Sequence, residues 1–253
     1  MKISAILITR NEAAMIGRAL KSVAWADEII VVDSGSTDNT VELCRQAGAK
    51  VLVTADWPGF GPQKNRALAL ASGEWIFSLD ADEWVTLDAQ REIREAIVHA
   101  NGKQAFRMPR RSSYCGHFMR HGGWWPDYVV RLFRRERGRF SEDLVHERLI
   151  LDGPVGTLKA PLLHETYRDL DEVLAKINRY STAGAQMAFA KGRRSSLAGA
   201  VAHGSWAFMR TYVLRLGLLD GAAGFMLAVS NAETVYYKYR KLALLARTAG
   251  RES

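Results

Sequence analysis

The chain has 253 residues, 48% hydrophobic and 25% charged, enough to bury the core of one large domain or of a domain with a helical appendage. Its net charge of +8 points to an anionic partner; nucleic acid, acidic lipid headgroups and phosphorylated sugars all fit that sign. Two cysteines, Cys44 and Cys115, without CxxC or zinc spacing exclude a disulfide or zinc scaffold and suit reduced thiols in the cytosol. The N-terminus runs directly into a strand pattern without a signal peptide, and no stretch of about 18 apolar residues is uninterrupted, so a conventional membrane span is not expected.

Residues 3–9 read as a buried strand. Asn11 is expected to cap a helix that carries Met15, Ile16, Ala19, Leu20 and Val23 on one face. Residues 28–33 form a second strand ending in Asp33, and the turn 34–38 leads into a helix that stops at Gly48. Residues 50–53 are a third strand. This β-α-β-α-β alternation predicts a parallel sheet with right-handed crossovers. Residues 56–62 are a loop by composition, followed by a helix over 63–71 that carries Lys64, Asn65 and Arg66.

The run Trp75-Ile76-Phe77-Ser78-Leu79-Asp80-Ala81-Asp82-Glu83 is the centre of the pattern. Its apolar part suits a parallel strand covered on both faces, and its acids fall where open α/β sheets bind ligands. Asp80 and Asp82 are two positions apart, so in extended chain both can converge on one hard cation, Mg²⁺ or Mn²⁺. The plain alternative is a solvated acidic loop. Asp33, Asp80 and Asp82 are expected along one sheet edge. No GxGxxG follows the first strand and no GxxxxGK[ST] occurs, which argues against Rossmann dinucleotide and P-loop enzymes.

Asp88 is expected to cap a helix ending at His99, and residues 105–108 form a further strand. Residues 110–125 are basic and aromatic with little periodicity; strand pattern returns at 128–134. From Asp169 a long amphipathic helix is expected, with Leu170, Val173, Leu174, Ile177, Ser181 and Gly184 at helical spacing. Lys191-Gly192-Arg193-Arg194 breaks it, and residues 197–247 are helical by composition. A boundary near residue 168 divides the chain into an α/β domain, 1–168, and a helical region, 169–253.

Ile6-Leu7-Ile8-Thr9-Arg10-Asn11-Glu12, Val31-Val32-Asp33-Ser34-Gly35-Ser36-Thr37-Asp38, Lys64-Asn65-Arg66 and the run from Ala71 to Glu83 occur in the order and spacing of a known family. Together they resemble glycosyltransferase family 2. The resemblance implies an α/β fold of the GT-A type, a Rossmann-like mostly parallel sheet flanked by helices, here with a C-terminal helical region. It also implies a UDP-sugar donor and inversion at the anomeric carbon. By the same resemblance Thr9 and Glu12 line the nucleotide pocket, Asp33 contacts the base, Lys64 and Arg66 belong to the donor site, and Asp80 and Asp82 hold the cation. Inverting transfer needs a base for the acceptor hydroxyl. The family's acidic pair matches Glu142-Asp143, with Asp143 as base and Glu142 in support. His146, Glu147 and His164 are further candidates, each with a structural or solvated alternative.

Residues 122–133, 144–148, 176–181 and 217–221 resemble the lipopolysaccharide inner-core glucosyltransferases. That implies glucose transfer from UDP-glucose to a lipopolysaccharide core sugar, or to another glycolipid. The protein would sit on the cytoplasmic side, peripheral to the inner membrane. Arg110, Arg111, Arg120 and His121 would suit an anionic acceptor, and Trp124 and Trp125 could stack on a sugar. The mixed apolar and basic tail suits a helix lying in acidic headgroups, against an oligomer interface or a cap on the catalytic domain. The rivals are transfer to a polyprenyl phosphate and nucleic-acid binding. No helix-turn-helix, RRM or zinc-finger pattern supports the second, so no nucleic-acid partner is expected.

Overall fold

Strand β1 (Ile3–Thr9) is buried along its whole length. Ile3, Ala5 and Leu7 enter one apolar cluster while Ile6 and Ile8 enter another, because successive side chains point to opposite faces. The computed structural model describes residues 1–142 and 147–249. After β1 the chain runs through α1 (Ile16–Ser22), β2 (Glu28–Asp33), α2 (Thr40–Gln46), β3 (Lys50–Val53), α3 (Phe60–Leu70), β4 (Trp75–Asp80), β5 (Glu83–Val85) and α4 (Leu87–Val98). β3, β2, β1 and β4 lie side by side and parallel. Ile16, Leu20, Cys44 and Ile93 cover one face through α1, α2 and α4, and Ala67 covers the other through α3.

The chain continues through β6 (Ala105–Tyr114), β7 (His117–Phe118), β8 (Asp127–Arg134), β9 (Gly138–Phe140), β10 (Leu149–Leu151), β11 (Val155–Thr157) and β12 (Leu162–Tyr167). β8 pairs antiparallel with β4 and β6 antiparallel with β8, so the sheet is mixed, in the order β3-β2-β1-β4-β8-β6-β12-β5. β9 and β10 form a separate antiparallel pair. Met1–Arg110 with Asp127–His164 make one compact unit; Arg111–Pro126 with Glu165 onward make a second.

In the first unit a buried acid, Glu28, fastens the base of the sheet. It accepts from Ser4 Oγ at 2.6 Å, from the Ser72 N–H and Oγ at 2.7 Å each, and from Lys50 Nζ at 2.8 Å. Burial alone would raise its carboxyl, but Lys50 and the serine donors hold it well below the usual range.

Three local expectations for this unit need correction. Asn11 caps no helix: it sits at φ 55° and its Oδ1 accepts the Thr37 N–H at 2.8 Å, so its side chain holds the 34–38 turn instead. The expected apolar face is nonetheless buried, from Met15 to Val23, on a helix that starts at Ile16. Thr86, not Asp88, caps α4 by accepting the Ala89 N–H at 3.2 Å; Asp88 lies in the first turn, where a carboxylate meets the positive end of the helix. α3 begins at Phe60, three residues early, because Pro62 falls in a first turn whose N–H groups need no intrahelical partner.

The second unit contains β7, the ends of β6 and β12, and the helices α5 (Leu170–Ala190), α6 (Leu197–Met209) and α7 (Gly221–Ala249). β6 runs to Tyr114, so part of the segment expected to lack regular structure is strand, its last residues paired with β7. Asp169 caps α5 through the Glu172 N–H at 2.9 Å. The buried stripe of α5 is narrower than expected: Val173, Ile177 and Ser181 are inside, while Leu170 and Leu174 are exposed. α7 packs on both α5 and α6, fastened by Lys241 Nζ to Ser181 Oγ and Thr182 Oγ1 at 2.9 and 2.7 Å. A π-helical turn (Arg210–Leu214) and a 3₁₀ turn (Gly217–Asp220) interrupt the helical tail. The buried Asp220 carboxylate accepts the Arg120 and His121 N–H groups at 3.0 and 2.7 Å. Among the described residues no single helix is long and apolar enough to cross a membrane; Leu197–Leu214 and Gly217–Thr248 meet that test only together, bent by 70°.

Candidate active site

Parallel pairing brings the carboxyl ends of β1, β2 and β4 to one edge, with Thr9 opposite Asp33 and Ile8 opposite Asp80. A cavity of about 490 Å³ opens there. Thr9, Arg10 and Glu12 line it from the end of β1, and Asp80, Ala81 and Asp82 from the end of β4. Lys64 of α3, the aromatics Trp57 and Phe60, and Glu147 and His164 complete the wall. Such a crevice beyond the strand ends is where open α/β sheets receive ligands.

Asp80 is held between two cations. Its Oδ1 lies 3.0 Å from Lys64 Nζ, and its Oδ2 accepts from Arg131 Nη2 at 2.5 Å. The same Arg131 nitrogen donates to Glu83 Oε1 at 2.5 Å, and Glu83 Oε2 accepts the Asp80 N–H at 3.1 Å. Glu83 is fully buried, so its charge depends on Arg131 and on the longer 3.4 Å contact with Arg110. Lys64 also reaches Glu147 Oε1 at 3.1 Å, which ties the residue after the 143–146 segment to the acid that ends β4. Burial alone would raise the Asp80 carboxyl; Arg131 and Lys64 outweigh it and hold the group well below the usual carboxylate range. Burial likewise opposes the charge of Arg131, and Asp80 and Glu83 more than restore it, raising the guanidinium above its ordinary value.

Asp82 differs. Its side chain is 38% exposed and its Oδ2 lies 3.2 Å from His164 Nε2. Among the described residues no three His, Cys, Asp or Glu side chains gather as a metal site. The donors present are a carboxylate pair, and that set fits Mg²⁺ or Mn²⁺ when one or two carboxylates share the ion with substrate phosphates. Asp82 is the more available ligand; Asp80 keeps lone pairs beyond those its two cations use.

The other expected residues divide. Glu12 lines the cavity, and its N–H donates to Thr40 Oγ1 at 2.8 Å. Thr9 lines it with a buried Oγ1 that has no hydrogen-bond partner among the described residues. Asp33 does not line it: the side chain is wholly buried and accepts from the Ser36 N–H at 2.8 Å and Oγ at 2.5 Å. Arg66 makes a two-pronged pair with Asp56 at 2.8 and 2.7 Å and is absent from the cavity wall. Glu142 is exposed, and Asp143 and His146 lie outside the described residues. Arg110 pairs with Asp127 at 2.7 Å. In the second unit, Trp124 stacks on Tyr167 at 6.1 Å.

Three contributors were not singled out from the sequence. Arg131 could have been: a cation within an apolar strand, Val129-Val130-Arg131-Leu132-Phe133, implies a buried acidic partner. Trp57 and Phe60, 4.9 Å apart and edge to face, flank Pro58-Gly59 and read only as loop punctuation.

Residues 4–150 match the family model described as glycosyl transferase family 2. The lipopolysaccharide core biosynthesis glycosyltransferase LpsC of Rhizobium meliloti (strain 1021) is 32% identical over 98% of this chain and 95% of its own length. An uncharacterized glycosyltransferase of Rickettsia bellii (strain RML369-C) is 30% identical over 95% of this chain and 86% of its own. Among solved structures, S. aureus TarS 1–349 in complex with UDP superposes with a TM-score of 0.51 at 17% identity, covering 98% of this chain and 92% of that one. Glucosyl-3-phosphoglycerate synthase from Mycobacterium tuberculosis, in complex with phosphoglyceric acid, gives 0.50 at 23% identity over 68% and 74%. At these identities the structural likeness is one of fold.

Proposed function

The chain belongs to glycosyltransferase family 2 and has the GT-A fold, and from that premise we propose an inverting enzyme that moves a hexose, glucose from UDP-glucose, onto a lipopolysaccharide core sugar. The observation that carries the donor half is the Asp80–Asp82 pair at the mouth of a strand-end cavity, with Lys64 beside it and Trp57 and Phe60 in its wall. The paired acids suit a divalent cation shared with a diphosphate, and the aromatics suit a base or sugar face. TarS 1–349, of the same fold, was solved in complex with UDP, which favours uracil as the donor base. LpsC, named for lipopolysaccharide core biosynthesis and alike over nearly the whole chain, favours a core sugar as acceptor. Such an acceptor is lipid-borne, so the reading includes a peripheral place at the inner face of a bacterial cytoplasmic membrane.

In this reading Asp82 and Asp80 hold Mg²⁺ or Mn²⁺, which when bound offsets the charge on the leaving diphosphate. Lys64 and Arg131 keep Asp80 ionised. Asp143, by its match to the family's acidic pair, takes the acceptor hydroxyl proton as that oxygen displaces UDP, with Glu142 in support.

Calorimetric titration of UDP with Mn²⁺ and after chelation, with ADP and GDP as controls, tests the donor half. Metal-dependent binding selective for UDP and lost in Asp80→Ala/Asp82→Ala is expected. Binding indifferent to metal and base would remove the reading. Transfer from radiolabelled UDP-glucose to core-truncated lipopolysaccharide, abolished by Asp143→Asn, tests the acceptor half.

A further inference from the structure

Helix α6 is packed the wrong way round for water. The residues it buries are the small ones, Ala200 and Gly204. A Cβ on Gly204 would stand 3.1 Å from Tyr236 Cβ and 3.3 Å from the Ala232 carbonyl oxygen, so this stripe lets α6 lie close on α7. The large apolar side chains face out: Leu197 is 55% exposed, Val201 50% and Trp206 58%. The exposure continues through the two turns that follow, at Leu214 with 62%, Leu216 with 50% and Leu219 with 58%. Small residues at helix contacts and large apolar ones outside is the arrangement of helices whose surroundings are lipid. Large exposed apolar side chains concentrated in one segment mark an interaction site.

Charge says which surroundings. From Lys191 to Leu219 the chain carries no Asp or Glu, while Lys191, Arg193, Arg194, Arg210 and Arg215 bracket the apolar stretch. Acidic headgroups over an apolar interior complement that pattern. The brackets also choose an orientation. Cations stand at both ends of α6, and its 13 residues, about 20 Å long, cannot reach across a hydrocarbon core of about 30 Å, so a helix set across the bilayer would bury one cationic end at high cost. The 70° bend after Leu214 prevents a straight span.

We propose that α6 and the turns after it, Leu197–Leu219, form an in-plane anchor that sits in one leaflet of an anionic bilayer. Trp206 and the exposed leucines enter the acyl boundary, and Arg193, Arg194, Arg210 and Arg215 lie among the phosphates. The anchor is α6 with the two turns after it, whereas α7 is the support α6 packs on. The proposal deepens the membrane-bound-acceptor part of the reading above and rests on it only for its biological purpose, since lipid binding is measured without any transfer.

The test is co-sedimentation of the full chain with vesicles of phosphatidylcholine alone and of phosphatidylcholine with phosphatidylglycerol. The expected result is binding to the anionic vesicles, weakened by salt, with Trp206 fluorescence quenched by shallowly brominated lipid and the signal absent in Trp206→Phe. Trp206→Ser/Leu214→Ser/Leu219→Ser should weaken partitioning at least about tenfold. Arg193→Glu/Arg194→Glu should remove the preference for anionic lipid. Because these side chains are already exposed, UDP titration and circular dichroism should be unchanged, which keeps this test separate from the donor-site reading. Equal partitioning of the serine variant, no vesicle binding by the wild type, or resistance to carbonate extraction typical of a span would overturn the anchor. So would a dimer that the serine variant abolishes in the absence of any lipid binding.

Discussion

The Arg131 guanidinium on β8 donates to the Asp80 carboxylate at the end of β4 at 2.5 Å, across an antiparallel pair that sets Phe77 against Leu132. Asp80 is therefore a structural acid as well as a ligand candidate. Asp82, two residues on, lies 3.2 Å from His164 Nε2 and stands further into solvent, 38% exposed against 31% for Asp80.

That asymmetry separates two variants. Asp80→Ala leaves Lys64 and Arg131 facing each other without their shared acid, and removal of one member of a buried ion pair costs about 3 kcal/mol, less here because the side chain is 31% exposed, so about 2 kcal/mol is expected. Asp82→Asn should cost under about 1 kcal/mol. Urea unfolding of both, beside UDP titration with and without Mn²⁺, should show metal dependence lost in each but stability lost only in the first.

Glu28 predicts an acid limb. Its folded carboxyl is depressed below the ordinary 4.5, so its contribution is full above that value and is lost as pH falls toward the depressed one. Glu28→Gln should therefore cost about 2 kcal/mol at neutral pH, and the gap to wild type should narrow between roughly pH 5 and pH 3. A gap that stays constant across that range would show that the ionised form is not what Ser4, Ser72 and Lys50 stabilise.

Two glycines in helices should respond oppositely to alanine. Gly17 in α1 has open space where a Cβ would go, and Gly17→Ala should stabilise by about 0.5–1 kcal/mol. In α3, a Cβ on Gly61 would stand 1.8 Å from the Ser141 carbonyl oxygen, an overlap with backbone that helix propensity cannot offset. Gly61→Ala should destabilise by about 2 kcal/mol. Because Ser141 precedes Glu142 and Asp143, turnover should fall by more than UDP affinity does.

The thiols predict a labelling order. Burial, aided by Asp33, pushes the Cys44 thiol up to about 11, and the side chain has no exposure. Cys115 is also raised, mainly by burial, but is partly accessible. At about pH 8 a thiol reagent should modify Cys115 slowly in the folded protein and Cys44 only after denaturant is added. Mass spectrometry of the modified peptides reads the order.

The parallel half of the fold is legible because strands covered on both faces read as unbroken apolar runs, and β2 and β4 end in an aspartate. Cap assignments failed where a polar side chain had a better long-range use, as Asn11 has in Thr37. Lys64 and Asp80 are each legible alone, but the place of Arg131 between Asp80 and Glu83 depends on β8 joining the sheet beside β4. A crossover of that range has no local signature. Ser36 could have been foreseen as a competitor for Asp33, since the two are three residues apart in a tight turn.

Small-in, large-out packing gives α6 an inverted substitution profile. In a water-facing helix the leucines and aromatics are the positions that resist change and the small residues drift. Here Gly204 and Ala200 should be the intolerant sites, and Leu197, Val201 and Trp206 should exchange freely among apolar residues while rejecting acids. A saturation library across residues 197–209 would place the anchor's constraint on its lightest side chains.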